Sequence, residues 1–310
     1  MISKEFVDDI ASKTEIKRKD LIEKDFILQE LLLELYNNKY FRENFVFKGG
    51  TCLIKCYLGY YRFSEDLDFS FVKKHIFKDK SEKQIRKLLS KEINVILDFI
   101  MGISKKLSLD FSGIKSDKRY IELGGNNKFL TLRLWYKSQI LEEEQFIKIQ
   151  INFVELFKYK FKIRKAEILF NNLNIEELKF LFPDDTNIIA KEINLPSYDL
   201  REILLEKFRA ILTRKGIKPR DFIDIYFIIK YLNKDFKKFR KGIIDKTIFM
   251  LRYHKYKKNL LDKEETLKNY EIKELENLLL IKPEKGFEYF NKSVVVFIND
   301  LIKALKNKVQ

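Results

Sequence analysis

The run 46–71, VFKGGTCLIKCYLGYYRFSEDLDFSF, constrains the fold more than any other stretch of the chain. A short apolar strand at 45–47 meets Gly49 and Gly50, and residues 51–58 then suit a helix that stops near Gly59. After a loop at 60–65, residues 66–72 alternate Leu67, Phe69 and Phe71 with Asp66, Asp68 and Ser70, the period of a strand with one buried face. The local order is strand, glycine turn, helix, strand.

The flanking sequence extends this into an α+β chain. Residues 21–36 place Ile22, Phe26, Leu28, Leu32 and Leu35 on a helical face suited to covering a sheet. A long helix is expected over 81–101, with strands near 107–111, 129–136 and 146–153. From Tyr198 onward the pattern becomes helical, over 200–214, 220–232, 237–252 and 292–308. Turn signals at Pro183, Asp184 and Asp185 and at 194–196 put a boundary within 170–196. The expected organisation is a mixed-sheet domain over 1–185, flanked by helices, and a helical domain over 186–310.

Composition narrows the setting. With 310 residues, 45% of them hydrophobic, the chain can bury one large core or two modest ones. The first 20 residues lack the apolar core of a signal peptide. No run approaches the roughly 18 apolar residues that span a bilayer, so a soluble, cytoplasmic protein with no membrane partner is expected. Cys52 and Cys56 lie four apart in the expected helix, and His75 and His254 are the only histidines, which leaves no zinc-type ligand set and favours reduced, packed thiols. The net charge of +16 suits an anionic partner such as nucleic acid. A chain rich in Lys, Ile, Asn and Phe together would show the same excess through compositional bias alone.

Chemistry concentrates at 46–71. Aspartates one residue apart on a strand put both carboxylates on one face, with Cα atoms about 6.5–7 Å apart, close enough to share cations. Magnesium, or manganese in its place, takes one or two carboxylates together with substrate phosphates. Asp66 and Asp68 are therefore the candidate metal ligands, and a nucleoside triphosphate the candidate ligand. The turn at Gly49 and Gly50 presents backbone N–H groups to phosphate oxygens, and Thr51 adds a hydroxyl.

These residues, Gly49-Gly50-Thr51 with Arg62, Ser64 and Glu65-Asp66-Leu67-Asp68, resemble the signature of the AbiEii/AbiGii toxin family, within the polymerase-β-like nucleotidyltransferase superfamily. Glu23-Lys24-Asp25 resembles the opening of these proteins. Downstream, Glu206-Lys207 with Ala210 and Arg214, then Pro219-Arg220-Asp221 and Asp224, is similar to the family's later motifs. The resemblance runs in separated patches from about residue 20 to 230. It implies that Asp66 and Asp68 bind magnesium and that Gly49, Gly50, Thr51 and Ser64 hold the triphosphate. It also implies a nucleotidyl group passing to an acceptor such as transfer RNA, in a toxin with a possible cognate antitoxin. Lys207, Ala210, Ile211 and Arg214 fall on one helical stripe, two cations flanking a small residue, which makes Lys207 and Arg214 candidates for phosphate contact. Asp221 enters as a catalytic candidate through the resemblance, and the first domain is expected to be nucleotidyltransferase-like.

One departure stands out. Many nucleotidyltransferases carry a third acid on a later strand, but the polar face of 146–153 is Lys148, Gln150 and Asn152. Either another acid such as Glu155 replaces it, or the site relies on fewer ligands. Two alternatives accompany the main reading: the same fold acting on a protein or a small molecule, or a degenerate domain that binds RNA or a partner without catalysis.

Overall fold

The computed structural model describes residues 2–186, 191–268 and 279–308. The chain divides into two units, one comprising Met1–Glu155 with Phe161–Ser197, the other Leu156–Lys160 with Tyr198–Gln310. The sheet unit thus runs to Ser197 and takes in position 185, and the class is the mixed α and β expected.

In the first unit, α1 (Lys4–Thr14), α2 (Lys19–Asn37) and α3 (Lys39–Asn44) lead into β1 (Phe45–Lys48), α4 (Gly49–Leu53), a π-helical turn at Ile54–Leu58, and β2 (Asp66–Phe71). There follow α5 (Glu82–Lys106), β3 (Ile121–Gly124), β4 (Phe129–Lys137), β5 (Glu144–Asn152), β6 (Lys162–Lys165), α6 (Ile175–Leu181), α7 (Pro183–Thr186) and β7 (Asn194–Ser197). The strands form a single sheet in the order β3-β4-β5-β2-β1-β7-β6. Pairs β2–β5 and β1–β7 are parallel, and the others antiparallel.

Alternation sorts the sheet's two faces. Leu130, Leu132 and Leu134 of β4, Ile147, Ile149 and Ile151 of β5, and Leu67, Phe69 and Phe71 of β2 are buried. On this face Phe69 meets Tyr36 of α2 and Phe41 of α3, with ring centroids 6.2 and 4.9 Å apart, and Phe41 meets Phe99 of α5 at 5.8 Å. The opposite face carries Phe129, Thr131, Arg133 and Trp135 of β4 and Phe146, Lys148, Gln150 and Asn152 of β5, all half-buried. Helix α2 is buried over most of its circumference, and Glu23, Asp25 and Gln29 are enclosed along with its apolar residues.

Two expectations change. Helix α5 continues to Lys106 because its apolar stripe, Leu89 to Ile103, stays in phase, and the strand expected at 107–111 shrinks to one bridge, Asp110 with Trp135. Leu107 caps the helix and Ser108 has φ of 55°, which breaks any extended run there. Conversely, 194–196 reads as a turn from Asn194 and Pro196, yet forms β7 because β1 and β6 pair with it. Tertiary pairing overrides local propensity at such sites.

The second unit contains α8 (Leu200–Thr213), α9 (Pro219–Leu232), α10 (Arg240–Leu251), α11 (His254–Leu261), α12 (Lys263–Lys268) and α13 (Phe287–Lys306). The helix expected over 237–252 opens as a single 3-10 turn at Phe236–Phe239 before α10. Phe208, Phe236 and Phe297 form its aromatic centre, with centroids 5.2–6.3 Å apart. Beside them, Lys246 is buried between Glu202 at 2.5 Å and Glu206 at 2.7 Å, and donates to the carbonyl of Leu156. Glu202 also accepts from the backbone N–H groups of Lys158 and Tyr159, tying the 156–160 segment to α8. No helix among the described residues is long and apolar enough to cross a membrane.

Replacing Lys246 by Met would leave the fully buried Glu202 carboxylate without its cation. Breaking such a pair from one side costs about 3–5 kcal/mol, and removing both charges costs much less. Urea unfolding of Lys246→Met should show that loss, and Lys246→Met combined with Glu202→Gln should recover part of it.

Candidate active site

The geometry of the acidic strand follows from its two neighbours. Strand β1 runs antiparallel to β2 with Lys48 opposite Asp68, while β5 runs parallel with Lys148 opposite Asp66 and Gln150 opposite Asp68. Asp66 and Asp68 are both half-buried, on the face opposite the one that α2, α3 and α5 cover. Because Lys48 lies opposite Asp68, the next residue passes directly over that carboxylate. Gly49 has φ of 81°, and a Cβ there would lie 2.2 Å from Asp68 Oδ2. Only glycine combines that backbone with that approach.

The next two residues are equally committed. A Cβ on Gly50 would sit 2.8 Å from the Arg62 guanidinium and 3.0 Å from Ser64 Oγ. Arg62 is 1% exposed, and its guanidinium donates to the Phe63 carbonyl at 2.6 Å. The Thr51 hydroxyl is hydrogen-bonded with Ser64 at 2.9 Å and donates to the carbonyl of Asp66. Thr51 and Ser64 thus brace the start of β2, and Thr51 is itself buried.

Helix α2 holds the same region from below through three consecutive side chains. Glu23 accepts from Ser138 Oγ at 2.5 Å and from the Gln139 N–H at 2.7 Å, anchoring the connection between β4 and β5. Lys24 pairs with Glu65 at 2.8 Å, next to Asp66. Asp25 pairs with Lys55 at 2.9 Å, and Lys55 also reaches Gln29 and Tyr60 from the π-helical turn. Each residue of Glu23-Lys24-Asp25 therefore ties α2 to a different neighbouring segment.

On the β5 side, Lys148 Nζ lies 2.9 Å from Asp66 Oδ2. Glu155, the candidate substitute acid, is 3% exposed, and its Oε2 is taken by Asn152 at 3.0 Å and Lys48 at 3.4 Å. Among the described residues no group of three or more His, Cys, Asp or Glu could hold a metal ion. The two-carboxylate set fits a magnesium ion that completes its shell with phosphate oxygens and water. Cys52, buried, and Cys56 are thiols not joined in a disulfide.

The second unit carries the other predicted residues. Lys207 of α8 pairs with Asp221 at 3.1 Å and with Asp224 at 2.6 Å, both from α9. Arg214 meets Asp221 at 2.5 Å. Burial opposes ionisation of Asp221, but the Lys207 and Arg214 cations outweigh it and hold its carboxyl below the usual range. Arg214 does not continue the α8 stripe. It caps the helix with an extended backbone, ψ 154°, and Ala210 and Ile211 are buried. Lys263 braces the following turn by donating to the carbonyls of Arg214 and Gly216. The sequence shows Lys148 only as part of a polar strand face and gives no sign of Lys55 or Lys263, since a single lysine in a chain with 62 basic residues carries no signal.

An acidic strand that leaves two aspartates on an open sheet face, beneath a glycine turn, is the arrangement of a nucleotidyltransferase domain. The chain belongs to the family described as nucleotidyl transferase AbiEii toxin, type IV TA system, whose sequence model matches residues 30–296. Among solved structures it is similar to JHP933 from Helicobacter pylori, at 16% identity over 99% of this chain and 96% of that one, with a TM-score of 0.41. It is also similar to another Helicobacter pylori protein, assigned as a nucleotidyltransferase, at 17% identity over 94% and 98% of the two chains, with a TM-score of 0.44. No curated protein matches.

Two outcomes test this geometry. Gly49→Ala should lose at least about 1–2 kcal/mol in urea unfolding, the cost of a left-handed backbone for an L-residue, and should also displace Asp68. The second concerns Lys263, whose ammonium is pushed down to about 8 by burial first and by the nearby Arg214 second, from 10.5 when unfolded. Between those values the unfolded chain holds a proton that the folded one has released, so this group's contribution to stability rises with pH from about 8 to about 10.5. Comparing the pH dependence of unfolding in wild type and Lys263→Met should show that rise only in the wild type.

Proposed function

We propose that this protein transfers a nucleotidyl group from a nucleoside triphosphate to an RNA acceptor, such as a transfer RNA end, in a reaction that depends on magnesium or manganese. The observation that carries the reading is the pair Asp66 and Asp68, held side by side on an open face under Gly49. These two carboxylates would hold the divalent cation, which when bound neutralises charge on the triphosphate. Backbone N–H groups at Gly49 and Gly50 bind phosphate oxygens, and Thr51 and Ser64 keep that turn fixed to the start of β2. The acceptor hydroxyl attacks the α-phosphorus and pyrophosphate leaves. Catalysis then rests on positioning and charge neutralisation.

In the second unit Arg214 is assigned to contact with phosphate, and Asp221 is assigned to orienting Lys207 and Arg214. Arg214 is the more accessible cation, with 39% of its side chain exposed against 10% for Lys207. The net charge of +16 supports a polyanionic acceptor. Membership of a toxin–antitoxin family supports an antitoxin partner. A cytoplasmic setting agrees with these partners.

One observation favours a second reading. The ion pair between Lys148 and Asp66 suits a domain that binds RNA or a partner and has given up transfer. Incubation with each labelled nucleoside triphosphate, magnesium, and total transfer RNA or total protein separates the two and identifies the acceptor class. Label retained on RNA only when divalent cation is present supports the proposal. RNA binding that ignores both nucleotide and cation supports the alternative.

The sharpest test is Asp68→Asn, which keeps the side chain's volume and removes one charge from the cation site. Transfer should fall at least about a hundredfold, since each 1.36 kcal/mol of lost transition-state stabilisation is about tenfold in rate. Thermal unfolding of the same preparation should be unchanged within about 0.5 kcal/mol. Near wild-type transfer by this variant would refute the assignment.

A further inference from the structure

We infer that Lys148 occupies the place of a second metal ion, so that this site takes one divalent cation per chain. The inference rests on the nucleotidyltransferase reading above and deepens it.

Register carries the argument. A third carboxylate on β5 could reach the aspartate pair only from the positions directly beside it, opposite Asp66 or opposite Asp68, because neighbouring strands stand about 4.8 Å apart and alternate residues face away. Those positions hold Lys148 and Gln150. Gln150 is neutral, and its side-chain amide lies 3.4 Å from Thr131 Oγ1 of β4. Lys148 instead brings a cation to 2.9 Å from Asp66 Oδ2. Two nearby acids outside these strands are already engaged: Glu155 is buried against Asn152 and Lys48, and Glu65 pairs with Lys24.

Charge counting gives the consequence. Two carboxylates contribute −2 and Lys148 contributes +1, while Lys48 opposite Asp68 is balanced by Glu155, leaving −1 at the face, enough to attract one divalent ion and its nucleotide but not two. A second divalent ion on the β5 side would have to displace the ammonium from Asp66 with no new carboxylate to hold it. Side chains at this pair are 29% and 25% exposed, so the ammonium keeps part of its hydration while it sits beside Asp66. Lys148 is thus a built-in monovalent counter-charge that takes one oxygen of Asp66 on the β5 side.

The test counts ions directly. Mn2+ binding, followed by electron paramagnetic resonance in the presence of each α,β-methylene nucleoside triphosphate, should saturate at one ion per wild-type chain. Lys148→Met removes a like charge from beside the ion and should tighten Mn2+ binding by about tenfold. Gln150→Asp combined with Lys148→Ser restores a third carboxylate and removes the counter-charge, and should take two ions. Two ions on the wild-type chain, or an affinity unchanged in Lys148→Met, would overturn the inference and leave the nucleotidyltransferase reading standing. No nucleotide-dependent Mn2+ on the wild-type chain would overturn both.

Discussion

The passage of Gly49 over Asp68 is the contact on which the rest of the site depends. The antiparallel register of β1 and β2 puts Lys48 beside Asp68, and the chain must turn there into α4 within one residue. Any side chain at Gly49 would occupy the space of the carboxylate itself. With that turn made, Gly50 lies against Arg62 and Ser64, and Thr51 reaches the Asp66 carbonyl. Three consecutive residues therefore set the position of β2 from one side. Strand β5 sets it from the other, through five consecutive paired positions from Asp66 to Ser70.

Buried charge completes the frame in both units. Lys55 is enclosed with Asp25, Gln29 and Tyr60, and burial with the neighbouring Asp25 pushes the Tyr60 phenol well up, so it stays protonated and donates to Asp25. Glu202 and Lys246 play the corresponding part in the helical unit. Such pairs add little net stability, because desolvation offsets most of the attraction. What they impose is geometry: an unpaired partner would be costly, so the elements that carry the two charges must meet. This gives the Glu23-Lys24-Asp25 run a physical meaning: Glu23 holds the β4–β5 connection, Lys24 holds the residue before the acidic strand, and Asp25 holds the π-helical turn.

Much of this could be read from the chain before its structure. The alternation in 66–72 and the glycine pair declared the acidic strand and its turn, because local periodicity and backbone freedom are properties of consecutive residues. Helices α2, α8, α9 and α13 were likewise visible as stripes. What could not be read was anything set by partners distant in sequence. Strand β7 carries turn residues and exists because β1 and β6 pair with it. Lys148 is unremarkable on β5 until the register places it beside Asp66, 82 positions away by numbering. Asp224 enters from the sequence only as the end of a motif, yet it makes the shorter contact to Lys207, 2.6 Å against 3.1 Å from Asp221.

The Lys207 cluster shows how burial redefines a basic residue. On the helix alone, Lys207 and Arg214 look like two cations available to a phosphate. In the folded unit Lys207, Arg214, Asp221 and Asp224 sum to zero charge, and Lys207 is shared by two carboxylates that are 1% and 0% exposed. A single phosphate charge cannot outcompete that pairing, since it would leave two buried acids short of a cation. Arg214 shares only Asp221 and keeps its other donors partly in solvent, so a fork of N–H groups remains for an oxyanion without dismantling the cluster. The division of labour follows from solvation: Lys207 and the aspartates hold α8 and α9 in place, and Arg214 presents the charge.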